Sequence, residues 1–183
     1  MEEAPCGGVK CYPVVAPVLE VPDPNNPRQV FHRHEPLAFK DLKQLKEAAS
    51  LYGTQAPFTL SLMESFRALN LTPSDWQQLC RAALSGGDFL IWRGEFQDRC
   101  TQTAVQNALN GQLQRNTDML AGTGAFGNIQ QQIQYHLTVY AQVATAAIRA
   151  WRALPLTDRG DHLSKILQGT SESFSDFVDR LIK

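Results

Sequence analysis

Apolar residues recur three and four positions apart along most of the chain from residue 37 to residue 154. This spacing is that of one face of an α-helix, and it predicts an all-α bundle. The pattern predicts helices near 37–52, 57–69, 72–85, 89–110 and 137–154, with the third closing at Gly86-Gly87. Glycines at 122, 124 and 127 break segment 116–134, which predicts only a short helix and an exposed loop.

The first 36 residues are rich in proline and show little helical periodicity. Two β-prone pieces, Val14 to Val21 and Gln29 to His32, flank the turn-like sequence PDPNNP. A hairpin and a mobile tail are both compatible with this pattern. Pro17 lies inside the first piece and would confine it to an edge strand.

The sequence LTPSDW marks the start of the third helix. Thr72 is the expected N-cap, and Pro73 takes the first helical position, where a missing N–H is harmless. Asp75 lies in the first turn, where the helix dipole favours a negative charge.

The composition of the chain excludes several classes of protein function. The 183 residues are 43% hydrophobic, enough for a core. Lysine plus arginine number 17 against 18 aspartate plus glutamate, so no basic excess indicates direct nucleic-acid binding. No run of eighteen apolar residues and no signal-peptide core is present, and the four cysteines lack a disulfide-framework spacing. These features predict a soluble intracellular protein without membrane insertion.

The C-terminal sequence QGTSESFSDFVDRLIK predicts a turn followed by an amphipathic helix capped by Ser173. Its apolar stripe consists of Phe174, Phe177, Val178 and Leu181. Gln168, Glu172 and Arg180 could join the turn to the helix through charge-assisted hydrogen bonds. The alternative is an ordinary amphipathic helix with solvated charges.

Four blocks appear in collinear order: LKQLKEAASLYGTQAPFTLSLMES, LTPSDWQQLCRAALSGGDFLIWRGEF, TDMLAGTG and YAQVATAAIRAWRALP. They resemble the N-terminal domain of the Gag capsid protein of betaretroviruses and of related class II endogenous elements, including intracisternal A-type particles. The C-terminal sequence resembles the major homology region that opens the second capsid domain. The residues that match this motif are Gln168, Gly169, Glu172, Phe177 and Arg180.

The resemblance implies a division of the chain. Mature capsid in the family begins with proline, so the junction Tyr12-Pro13 is the expected maturation cleavage site. The resemblance also implies an ion pair between the new Pro13 amine and Asp75, which folds the N-terminal hairpin; before cleavage, another course is expected. The expected segments are an upstream Gag tail or cloning remnant (1–12), a hairpin or mobile segment (13–36), the capsid N-terminal helical domain (37–154), a linker (155–162) and the start of the capsid C-terminal domain (163–183).

The function implied is that of a structural capsid protein, which self-assembles into the immature Gag lattice or the mature shell. Its partners would be other Gag copies in a hexameric lattice and the viral protease. Its location would be the host cytoplasm during assembly and then the virion. The first three helices would form the rings, with Lys43, Gln44 and Gln55 as candidate contacts. A domesticated, capsid-like host adaptor is the alternative.

Candidate chemistry does not indicate an enzyme, a cofactor or a metal. The segment His32-Arg33-His34-Glu35, with Cys80 and Cys100, invites a zinc interpretation, but no paired cysteines stand at ligand spacing, and the alternating histidines are expected on opposite faces. They are interpreted as solvated or capping. The two cysteines and the three tryptophans are interpreted as core residues. Neither a phosphate-binding loop nor a nucleophile elbow is recognisable.

Overall fold

The computed structural model describes residues 15–23 and 26–156. In chain order these residues form an antiparallel hairpin and then seven α-helices. Single turns of 3-10 helix at Phe66–Leu69 and Gly124–Phe126 supplement them. The elements are β1 (Val18–Asp23), β2 (Asn26–His34), α1 (Phe39–Tyr52), α2 (Pro57–Ser65), α3 (Pro73–Ala83), α4 (Gly86–Leu109), α5 (Thr117–Ala121), α6 (Ile129–Gln132) and α7 (Leu137–Arg152). The predicted all-α bundle with an N-terminal hairpin is confirmed.

The core forms where α7 packs along α4 and against the N-terminal helices. Trp92 on α4 is fully buried and donates its indole N–H to the Ala147 carbonyl of α7, at 3.0 Å. Trp151, at the end of α7, donates to the Thr54 carbonyl between α1 and α2, also at 3.0 Å. Each indole therefore fills the core and satisfies its one polar atom on a neighbouring element. The interpretation of the tryptophans as packing residues agrees with this geometry.

Several helix boundaries differ from the prediction by a few residues. Helix α3 ends at Ala83, and Gly86 and Gly87 form the first turn of α4 instead of closing α3. The reason is Ser85, whose hydroxyl oxygen accepts the Asp88 N–H at 3.1 Å and caps α4. At the other end, α7 stops at Arg152, two residues earlier than predicted.

The prediction of an exposed loop over 116–134 is wrong in its second half. Helices α5 and α6 lie in this segment, and Leu120, Ala121, Gln132 and Ile133 are buried. Glycines end the short helices but do not free the segment from the core. Gly122 takes a φ of 67°, a left-handed conformation that favours glycine and terminates α5.

The hairpin strands pair with each other, and a backbone hydrogen bond joins them to the helical body. Strand β1 pairs antiparallel with β2, with Val18 opposite His34 and Val21 opposite Phe31. Pro17 lies just before β1, and its carbonyl accepts the Glu35 N–H at 3.1 Å. The Val18 N–H donates to the Asn70 carbonyl of the helical body at 3.4 Å.

This hairpin is present in a chain that still carries residues 1–12, contrary to the expected different course before cleavage. The physical reason is that the hairpin forms hydrogen bonds of its own with the helical body. The domain boundaries at 12/13 and from 157 onwards lie outside the described residues, so the proposed division of the chain stays a prediction.

Candidate functional site: the Asp75 network

Asp75 is positioned by the N-terminus of α3. The Thr72 hydroxyl oxygen accepts the Asp75 N–H at 3.1 Å, and the Asp75 carboxylate accepts the Thr72 N–H at 3.1 Å, which is a capping box. The Thr72 hydroxyl also donates to the same carboxylate oxygen, Oδ2, at 2.5 Å. Asp75 is only 1% exposed, so its charge depends on these donors and on the helix dipole for stabilisation.

The hairpin supplies two further donors to this buried carboxylate. The Ala16 N–H donates to Oδ1 at 3.1 Å, from the segment that leads into β1. From the end of β2, His34 Nε2 lies 3.1 Å from Oδ2. An ionised carboxylate only accepts, so His34 must carry its proton on Nε2 in this contact. Both ends of the hairpin are therefore held by one aspartate of α3.

A second attachment involves His32, two residues earlier on β2. Its Nδ1 contacts the Ile133 carbonyl at 2.5 Å, and its Nε2 lies 3.5 Å from a carboxylate oxygen of Glu20 on β1. The side chain of His32 is only 12% exposed. His32 thus fixes the hairpin to the end of α6, while His34 fixes it to α3.

The expectation that the two histidines lie on opposite faces is wrong, as is their interpretation as solvated or capping. Residues two apart on a strand point to the same face, and here that face is turned to the helices. The i, i+2 spacing of His32 and His34 was the sequence signal that could have placed both side chains on one face of the strand. Their acceptors, Ile133 and Asp75, lie 101 and 41 positions away, so the sequence alone could not identify them.

Buried polar contacts fix the segment that receives His32. The Tyr140 hydroxyl lies 2.8 Å from the carbonyl oxygens of both Gln132 and Ile133. Burial raises the pKa of Tyr140, so the hydroxyl keeps its proton and remains a donor at neutral pH. The segment before α7 is therefore held from the α7 side.

Gln132 joins this segment to the start of α3. Its side chain is fully buried; Oε1 accepts the Ser74 N–H at 3.1 Å, and Nε2 donates to the Phe126 carbonyl at 2.8 Å. Ser74 is the neighbour of Asp75, so this one amide connects the segment that receives His32 to the start of the helix that receives His34. No sequence pattern singled out Gln132, because a buried glutamine cannot be distinguished from an exposed one by sequence alone.

The other predicted site residues fall into two groups. Tyr12 and Pro13, and the motif residues Gln168, Gly169, Glu172, Phe177 and Arg180, lie outside the described residues. Of the candidate assembly contacts, Lys43 and Gln44 are exposed on α1. Gln55 instead donates to the Trp151 carbonyl at 3.0 Å and serves the fold of its own subunit.

The cysteines in the described part of the chain lie in the core. Cys80 and Cys100 are fully buried, and burial raises the pKa of both thiols, that of Cys100 to about 12. Within residues 15–23 and 26–156, no group of three or more metal-ligating side chains is found. The histidines of the zinc interpretation contact Asp75, Glu20 and a backbone carbonyl. None of the helices described here is long and apolar enough to cross a membrane.

A mostly helical domain with a small antiparallel hairpin at its N-terminus is consistent with the fold of a retroviral capsid N-terminal domain. Comparison with known proteins agrees. The model of the gag protein p24 N-terminal domain family matches residues 33–158, more than half of the chain. The chain belongs to this family. Its members are structural proteins and not enzymes.

Relatives extend the match beyond the family model. The chain is 44% identical over 169 residues to the Gag polyprotein of simian retrovirus SRV-2, covering 92% of this chain and 25% of the polyprotein. It is 43% identical over 169 residues to the Gag polyprotein of Mason-Pfizer monkey virus, with the same coverage of 92% and 25%. The resemblance to betaretroviral Gag is therefore confirmed. The chain spans about a quarter of the length of these relatives.

Proposed function

We propose that this chain is the capsid part of a betaretrovirus-like Gag protein, and that its copies assemble into a repeating shell. The observation that carries this proposal is the family membership, because the matched residues include nearly all of the helical body. Assembly would take place in the host cytoplasm and continue into the virion. The partners would be other copies of the same protein.

The surface of the helical body supports a role in weak, repeated contacts. Leu51, Tyr52 and Phe58, at the junction of α1 and α2, are 63%, 62% and 48% exposed. The two aromatic rings pack edge to face with centroids 5.9 Å apart, which orders this apolar surface in the free subunit. Small interfaces of this kind are individually weak, and many copies together stabilise a lattice. The subunit should therefore be monomeric at low micromolar concentration.

The Asp75 network supports a proposal about maturation. Cleavage between Tyr12 and Pro13 by the viral protease would create a cationic amine, since α-amino groups titrate near pH 8. Ala16, three residues later, already donates to Asp75 Oδ1. Three extended residues span at most about 10 Å, so the new amine is within reach of that carboxylate.

The amine would add a charge to a network that is formed without it. Three donors contact Oδ2, whereas Oδ1 accepts the Ala16 N–H. We propose that the Pro13 amine binds at Oδ1 and tightens the hairpin on α3. Cleavage would then strengthen an existing attachment and need not create the hairpin. A desolvated charged hydrogen bond contributes about 1.5–3 kcal/mol.

Electron microscopy of the purified protein at high salt tests the proposed function. Screening of surface charge allows apolar contacts to dominate, so tubes or spheres with a regular lattice are expected. The matched variant replaces both Leu51 and Phe58 by serine, which removes exposed apolar area without touching the core. It should remain folded and monomeric. A small, discrete oligomer of the unsubstituted protein at every salt concentration would favour the host adaptor and contradict the proposal.

A further inference from the structure

A polar cleft lies between the second half of α4 and α7, away from the hairpin and the Asp75 network. Its volume is about 340 Å³. Arg99 and Gln106 of α4 line one side, and Thr145 and Arg149 of α7 line the other. We name it the arginine cleft. Of the described residues that line it, none is aromatic, so it offers no surface for stacking a base.

The charge of the arginine cleft is positive. Arg149 is exposed and forms no ion pair with any residue in the described part of the chain. Arg99 pairs with Glu95 through one terminal nitrogen, at 3.0 Å, which leaves its other terminal nitrogen without that partner. Two guanidinium groups thus line one cleft from two helices, and only that of Arg99 has a carboxylate partner among the described residues.

Neighbouring charges do not cancel this excess. Arg67 donates to the Thr145 hydroxyl at the edge of the cleft, at 3.0 Å, and pairs with Glu64. Glu64 is also paired with Arg152, at 2.7 Å. One glutamate therefore serves two arginines on this side. The surface around the cleft keeps an excess of positive charge.

The neutral polar groups also favour a ligand that accepts hydrogen bonds. The hydroxyls of Thr103 and Thr145 donate to the backbone carbonyls of Arg99 and Ala141, at 2.8 Å each, so their protons are used within the helices. The side-chain amides of Gln102 and Gln106 are exposed in the cleft and have N–H donors to offer. Donors from both helices can converge on oxygen atoms placed between them.

We propose that the arginine cleft binds a small soluble molecule that carries two or more phosphate groups. A guanidinium group binds phosphate oxygens through two parallel N–H donors, and two such groups on opposite sides match two phosphates better than one. The polar lining suits a hydrophilic ligand without an aromatic ring. Because the ligand contacts both α4 and α7, binding raises the thermal stability of the subunit. This site lies within one subunit and does not depend on lattice assembly.

The test is a titration of the full chain, labelled with ¹⁵N, with inorganic pyrophosphate at constant ionic strength. Constant ionic strength separates binding from general screening. Saturating amide shifts are expected in α4 and α7 around Arg99 and Arg149. Arg149→Gln should weaken binding at least about tenfold, since it removes a charged hydrogen bond from an exposed side chain that the fold does not need. The control Lys40→Gln, an exposed residue of α1, makes the same change in net charge and should leave binding unchanged.

Four results would overturn the proposal. They are shifts that do not saturate, shifts centred on the separate cleft of Arg81 and Arg93, equal weakening by both variants, and equally tight binding of succinate. The first three indicate nonspecific or misplaced binding, and the fourth indicates a site for carboxylates. A binding experiment with lipid vesicles distinguishes a soluble phosphate ligand from a lipid headgroup. Binding to phosphatidylinositol phosphate vesicles that depends on Arg149 would contradict a soluble ligand.

Discussion

The substitution Asp75→Asn should weaken the attachment of the hairpin to the helical body, although the His32 and Val18 contacts remain. A carboxamide has one acceptor oxygen, whereas both carboxylate oxygens of Asp75 accept hydrogen bonds. If the amide oxygen takes the Oδ2 position, its NH₂ group faces the Ala16 N–H. If it takes the Oδ1 position, its NH₂ group faces the donors of Thr72 and His34. Either orientation places donors against a donor in a buried site.

The magnitude follows from burial. Asp75 is 1% exposed and accepts hydrogen bonds from four donor atoms. Hydrogen bonds to charged groups contribute about 1.5–3 kcal/mol each, and breaking a buried pair costs about 3–5 kcal/mol. Because the four contacts are not additive, we expect a loss of about 3 kcal/mol in the free energy of unfolding. For a chain of this size that corresponds to a fall of about 6–12 °C in Tm.

The assay is thermal unfolding followed by circular dichroism, with Asp88→Asn as the matched control. Asp88 occupies the same first-turn position in α4, and its carboxylate also accepts from a capping hydroxyl, that of Ser85, at 2.7 Å. It is partly exposed and forms no hydrogen bond with the described residues of the hairpin, so its loss should cost only about 1 kcal/mol or less. Equal destabilisation by the two substitutions would refute the argument that burial and hairpin contacts make Asp75 special.

Three further predictions concern other parts of the chain. Gly122→Ala should lower the free energy of unfolding, measured by urea denaturation, by about 1–3 kcal/mol. The added Cβ would lie 2.7 Å from Gln132 Nε2, and the φ of 67° at this position disfavours a side chain. An unchanged urea midpoint would contradict this close approach. Cys80 and Cys100 should resist iodoacetamide at neutral pH until the protein unfolds, since burial raises the pKa of both thiols; mass spectrometry of the native protein would reveal any modification. In full-length Gag, Arg180→Ala should abolish particles while the N-terminal domain still folds, since loss of Arg180 would leave Glu172 unpaired, at a cost of about 3–5 kcal/mol if the predicted pair is buried. Normal particles by electron microscopy would refute the predicted network.

Local signals predicted the parts of this fold that depend on local physics. The sequence LTPSDW contains the capping residues themselves, so the start of α3 and the first-turn position of Asp75 were predictable. Helical spacing likewise predicted the body of α1, α4 and α7. At Gly86-Gly87 the prediction followed the glycines as a helix end, whereas in the structure α4 begins there because Ser85 caps it.

Contacts between distant residues were not predictable. The partner of His32 is a backbone carbonyl, which carries no side-chain signal in a sequence. Gln132 reads as an exposed polar residue, yet it is fully buried because Ser74 and Phe126 satisfy its amide. The hairpin shows what local sequence signals can and cannot predict. Its strands could be predicted as one of two alternatives, but its contacts with the helices could only be read from the structure.

Amide hydrogen exchange of β1 and β2 tests the central claim most directly, which is that Asp75 holds the hairpin and that cleavage strengthens this hold. Three proteins are compared: the uncleaved chain, a chain that starts at Pro13, and that shorter chain with Asp75→Asn. We predict measurable protection of cross-strand amides in the uncleaved chain, greater protection after removal of residues 1–12, and loss of protection with Asp75→Asn. Equal protection in all three proteins would contradict the account.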